Sequence, residues 1–418
     1  VKASQYFTNL GSLSDLGDFT LLYNDSTDTV SIRFNLSEAR TLTWNGTEGN
    51  SAWEVGDGTA ENWLDAAQQD TCFDTGDNAR FTGDAAKKQV TIADGRTEAR
   101  DITISGADAQ YAFAVAGDST LSASNLMKVS DGASLAKTGA GNLTLELSGA
   151  LDLENGSLAV QEGGLAVATI NADADSTITL DGTLRVAQGS INGITAHEGS
   201  TLVIGTVGAT DAGTLAIATD TSLYGLVNQG TLNVGTNELT IKQATAQGGN
   251  VVAGTLSLEE SGSSFGNVTA NTIHFAYGTL DVADPNVSVG TIAGNGGFPV
   301  VTLDLTDALA DGGSLAPLQR LEWATTYTLV HANGGLEGVN FTLGETLGLL
   351  VQNGLVHEGA GLVKTDNDVK LTVGGQNLTW YTSKNSTEWG YNVVTGGNIA
   401  HGANTLNGVQ HVVVDEDR

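Results

Sequence analysis

Carboxylates are the residues best placed to do chemistry in this sequence, and two kinds of site would use them. Paired acids about 5–10 Å apart in a groove can cleave glycosidic bonds. Asp152, Asp181 and Asp281 are candidates, because each falls on or beside a strand-like triplet and would face outward. An oxygen cage for calcium is the other possibility. Asp70, Asp74, Asp77 and Asp84 lie close together beside glycine turns. They lack the Gly-Gly-x-Gly-x-Asp repeat of calcium-binding rolls, and Asp also caps turns without any metal. The expectation is therefore no cofactor, with calcium as the one candidate ion.

Other catalytic groups are sparse. There is no Gly-Asp-Ser-Gly, no Gly-x-Ser-x-Gly elbow, no His-Glu-x-x-His and no phosphate-binding loop. His197, His274, His331, His357, His401 and His411 are scattered without ligand spacing. Cys72 is the only cysteine, which excludes an internal disulfide and a cysteine zinc site. Asp and Glu number 48 against 17 Lys and Arg, a net charge of −31. Such a chain repels nucleic acid and anionic membrane surfaces. The acids are scattered, as on a solvated outer face, and no apolar run reaches the ~18–20 residues of a membrane helix. Neither nucleic acid nor membrane insertion is expected.

Tryptophans are the last candidates. Trp44, Trp53 and Trp63 cluster early, Trp380 and Trp389 late, and Trp323 stands alone. Exposed rings would make a platform for sugars. Buried rings would plug the end of a stacked-strand structure, since each covers about 150–250 Å². The plug is the expectation for the clustered rings. Trp323, with the irregular stretch from Pro299 to Gln319, marks where a glycan cleft would lie if the chain were an enzyme.

The elements that would carry these residues are short and repeated. Gly is 55 of 418 residues and Pro only 3, which suits many strands separated by tight turns. Gly182-Thr183-Leu184-Arg185-Val186 is followed by similar units at Gly213, Gly230, Gly254 and Gly278. A working period of about 17–24 residues follows. Alternation puts Leu, Val and Ile on one face and Thr, Ser, Asn or Asp on the other. One such strand cannot bury its face alone, but coils stacked at ~4.8 Å can. Some 12–18 coils would make a rod of roughly 60–90 Å. A propeller would need a longer period, and a sandwich needs no similarity between successive units. The pattern predicts an all-β, right-handed, single-stranded parallel β-helix.

A longer repeat overlies the short one. Phe19 to Tyr23 resembles Tyr327 to His331, and Asp28 to Ile32 resembles Asn367 to Leu371. Leu42-Thr43-Trp44 and Trp53 match Leu378-Thr379-Trp380 and Trp389, both Trp pairs 336 residues apart. The expected division is the end of a preceding module at 1–40 and a Trp-rich head at 41–116. Regular coils at 117–300, capping coils at 301–376 and the head of a following module at 377–418 complete it. Val1-Lys2-Ala3-Ser4 is no signal peptide and the charged end stops abruptly, so both ends are expected to be cuts in a longer protein.

Leu135-Ala136-Lys137-Thr138-Gly139-Ala140-Gly141-Asn142-Leu143-Thr144-Leu145 resembles the autotransporter-associated β-strand repeat of bacterial passenger domains. The head from Leu42 through Trp63 and Phe81 to Gly106 is similar to segments preceding that repeat. The resemblance covers about residues 40–145 well. It implies a pectin-lyase-like solenoid, export through an outer membrane, and display on the bacterial surface or release outside the cell. The function so implied is a non-catalytic stalk for adhesion, with a host surface protein, a glycan or sister chains as partner. The alternative is a glycan-active β-helix lyase or hydrolase. A translocating β-barrel, which the family carries, is not in this sequence.

Overall fold

The computed structural model describes residues 19–24, 29–34, 39–46, 51–55, 62–92, 95–205, 213–245, 248–276, 279–297, 300–306, 325–346, 362–372, 376–381, 392–395, 398–401 and 409–415. The chain is all-β, with one long, parallel-rich sheet of the β-helix-like kind. Repeated triplets that lie in strands pair in register with equivalent residues of neighbouring strands, whereas the unit expected at Gly278 does not: 279–282 form no strand and Val282 is exposed. Leu135 pairs with Leu158, 23 residues on, and Val251 with Val268, 17 residues on. Spacing in the sequence has become spacing in the sheet, because a parallel ladder joins equivalent residues of successive repeats.

The pairings fall into three parallel ladders. One runs through Gln110–Ala114, Ser134–Thr138, Ser157–Val160 and Thr177–Leu180. A second joins the first halves of Gly95–Ser105 and Ser119–Ser130 to Asn142–Leu147 and the first halves of Gly164–Ala172 and Thr183–Ile191. The third takes the second halves of those long strands. It runs through twelve described strands, from Thr41–Trp44 to the end of Val287–Ala293, or ~50 Å at ~4.8 Å per rung. The long strands bend between ladders, with a register shift between Ala123 and Leu126.

Alternation decides what each strand buries. Leu121, Leu145, Val167 and Val186 stack as one inward column. Leu42, Ala79, Ile102, Met127, Leu151 and Ile170 form another. All belong to one continuous apolar core. Glycine is required where turns of adjacent repeats touch. A Cβ at Gly141 would collide with the Gly117 carbonyl, and Gly139 has φ +81° against the Val115 carbonyl.

Both ends of the parallel sheet close with antiparallel strands. Trp63–Leu64 lies antiparallel to Thr41–Trp44 and to Asp70–Thr71. At the other end, Thr326–Ala332 pairs parallel with Val287–Ala293 but antiparallel with Asp368–Thr372, which pairs antiparallel with Leu362–Lys364. These hairpins cover strands that would otherwise offer open edges. The same arrangements recur outside. Phe19–Asn24 and Thr29–Phe34 form an antiparallel pair, as their sequence counterparts do. Gln376–Tyr381 has an antiparallel neighbour, Asn392–Thr395, and a parallel one, Val409–Asp415, as Thr41–Trp44 has Trp63–Leu64 and Asn78–Phe81.

The C-terminal hairpin carries an acid-sensitive contact. His331 Nδ1 lies 2.7 Å from Asp368 Oδ1, and Lys370 Nζ is 3.2 Å from Oδ2. The hydrogen bond to His331, then Lys370, holds the Asp368 carboxyl below its ordinary value near 3.8. A carboxylate whose folded pKa is lowered stabilises the fold fully above that ordinary value and loses the effect as pH falls through the lower one. Thermal unfolding followed by circular dichroism should show a midpoint falling as pH drops below about 4. Asp368→Asn should flatten part of that fall; an unchanged acid slope in the variant refutes the assignment.

Candidate functional site

The outward positions of the second ladder carry the candidate site. Arg96, Thr120, Thr144, Ala166 and Arg185 pair rung by rung into one outward column. Glu98, Ser122 and Glu146 form a parallel outward column beside it. The small residues between the two arginines leave a groove of about 610 Å³, bordered also by Ala168 and Ser148. That volume lies in the range of small-ligand sites.

Charge is organised along this groove. The Arg96 guanidinium bridges Glu98 on its own rung and Glu146 two rungs away. Those hydrogen bonds raise its pKa further above an already high value. The bridge spans the rung of Ser122. Ser122 faces outward by alternation yet is only 7% exposed, and its hydroxyl has no hydrogen-bond partner among the described residues. The Arg185 side chain, four rungs from Arg96, makes no hydrogen bond and no ion pair among the described residues.

The residues expected from sequence lie elsewhere. Trp44, Trp53 and Trp63 are at most 1% exposed and pack with Phe73, Phe81, Tyr111 and Phe113 at the N-terminal end of the parallel sheet. Their centroids are about 5 Å apart in edge contacts, such as 5.2 Å for Trp53 and Trp63. Trp44 Nε1 donates to the Lys87 carbonyl at 2.8 Å, while the N–H groups of Trp53 and Trp63 are buried without a partner among the described residues. A ring with no exposed face cannot stack on a sugar, so the platform reading of these three is corrected to a packed plug. Trp323 lies outside the described residues, and of 299–319 only 300–306 is described.

The acids are equally dispersed. Asp74 and Asp77 both pair with Arg40, at 2.7 and 2.5 Å, and Asp77 also accepts from the Asp74 N–H. Asp70 accepts from Asn45 at 3.4 Å, and Asp84 lies near Tyr111 instead. The charge of the tightest acids is thus met by a guanidinium rather than gathered into a cage. Among the described residues no group of three His, Cys, Asp or Glu could hold a metal ion. Asp152 accepts from Asn171, Asp181 contacts His197 at 2.6 Å, and Asp281 caps the Ala283 and Asp284 N–H groups. These three share no groove. Cys72 is half-buried. Among the described residues no helix is long and apolar enough to cross a membrane, which says nothing of a β-barrel.

Sequence reading passed over Arg96, Glu98, Glu146 and Arg185. A signal was present: Arg185 occupies the place that Ala, Asn, Ser or Asp fills in sister repeats. What the repeat does not show is that the three rungs between the two arginines carry only small side chains in that column. No family model, no curated protein and no solved structure matches this chain.

Proposed function

We propose that the chain is a non-catalytic stalk from a cell-surface or secreted protein, a right-handed parallel β-helix that presents its flank to a surface partner. The parallel, in-register pairing of successive strands along the sheet carries this reading. Three ladders around one apolar core suit a solenoid, and connections between parallel strands are right-handed in nearly all folds. Residues 1–40 then end one module, 41–376 form a complete one, and 377–418 begin the next. The recurrence of the closing hairpin and of the head topology supports that division. Hairpins at module ends suit a tandem array, because each module is closed against open-edge association. The partner is a host surface protein, a glycan or a sister chain, met outside the bacterial cell.

Small-angle scattering on the purified chain tests the shape, and a polysaccharide depolymerisation assay tests the chemistry. An elongated particle that releases no reducing ends is expected. A compact particle sinks the stalk. Release of reducing ends that disappears in Glu146→Gln would make the chain a glycan-active enzyme instead.

A further inference from the structure

We propose that the groove between Arg96 and Arg185 binds a short linear glycan through a sugar carboxylate received by Arg185. The proposal deepens the stalk reading and rests on it. A guanidinium is a planar fork that matches a carboxylate in two parallel hydrogen bonds. The Arg185 side chain makes no such bond among the described residues. Arg96, by contrast, is already held by Glu98 and Glu146. One end of the groove therefore has a free cation and the other end a neutralised one.

That asymmetry selects the ligand. A polyanion would be repelled by a chain of net charge −31, and its second carboxylate would meet Glu98 and Glu146. A chain with one carboxylate and a neutral, hydroxyl-rich remainder meets no such conflict. Four rungs separate the two arginines, or ~19 Å at ~4.8 Å per rung, which admits a few sugar units. The remainder would lie over Thr144, Ala166 and Ala168, with Ser148 at the border. Toward Arg96 it ends at the Arg96–Glu146 bridge, which spans the rung of the buried Ser122. A peptide fits less well. Peptides bind sheets by adding a strand to an open edge, and this site is a sheet face whose backbone groups are paired above and below.

Calorimetric titration of the full chain tests this with four probes. Sialyl-lactose carries its single carboxylate on a terminal sialic acid, and glucuronosyl-lactose carries its single carboxylate on a uronate. Carboxyl-reduced glucuronosyl-lactose and an acidic heptapeptide are the counterparts. Saturable binding of at least one carboxylated sugar is expected, and which one binds tells the two sources apart. Arg185→Gln should weaken it about tenfold or more, as loss of a charged hydrogen bond does. Arg185→Lys should keep part of the affinity, Ala168→Trp should block it, and Lys242→Gln, outside the groove, should leave it unchanged. Unaltered circular dichroism shows the variants are folded. Equal affinity for the reduced sugar, an unaffected Arg185→Gln, preference for the peptide, or no saturable binding of either carboxylated sugar overturns the proposal. In any of these cases an elongated, inert particle leaves the stalk standing. Shortening of a bound sugar would instead end the non-catalytic reading while keeping the groove as the binding site.

Discussion

Replacing Trp63 by alanine is expected to lower the free energy of unfolding by about 3–5 kcal/mol. The ring is fully buried and touches Trp44, Trp53, Phe73 and Phe81. Removing it loses apolar transfer energy and leaves a cavity among rings that cannot all close on it. The indole N–H has no partner among the described residues, so no hydrogen bond to any of them is lost. The effect should therefore follow volume. Trp63→Phe should cost clearly less than Trp63→Ala, although Phe is the smaller ring. Urea unfolding monitored by circular dichroism gives both values. A Trp63→Ala cost under about 1 kcal/mol, the range of surface substitutions, would mean that these rings do not form a packed plug.

Lys137→Met should destabilise by about 3 kcal/mol, through a different mechanism. Lys137 sits in an inward column between Phe113 and Val160 and is 1% exposed. Its stem fills the core while its ammonium reaches the coil corner. There it donates to the carbonyls of Gly139 and Gly141, and to that of Glu162 at 2.8 Å. Burial pushes the ammonium's pKa down, and Glu162 opposes that shift. Methionine keeps the length and the apolar stem but strands the carbonyls, each costing about 1–3 kcal/mol where no water reaches it. Lys128→Met is the control. Lys128 pairs with an exposed Glu154, and such surface pairs contribute roughly 0–1 kcal/mol. Equal costs for the two variants in urea unfolding would refute the structural role of Lys137.

Lys137 also shows how far sequence reading reaches. Alternation from Leu135 places residue 137 on the inward face, so its burial was legible in the repeat. Its three acceptors were not. Two come from the turn that follows it, but Glu162 belongs to the next coil, 25 residues away. The same division holds for the tryptophans: their clustering pointed to a plug or a platform, and packing against Phe73 and Phe113 made it a plug.

Local rules, then, were written in the chain itself. Period-two alternation fixed which side chains face the core, and a repeat of about 20 residues fixed the partner of each strand, because both act between near neighbours or equivalent positions. Placement of the site was decided by stacking. Arg96 and Arg185 are 89 residues apart in sequence, and only the parallel register sets them in one column with small residues between. Arg40 likewise met Asp74 and Asp77 through the first rung of the fold rather than through any motif. Charges pair with whatever the register brings within reach, and register is a property of the assembled sheet.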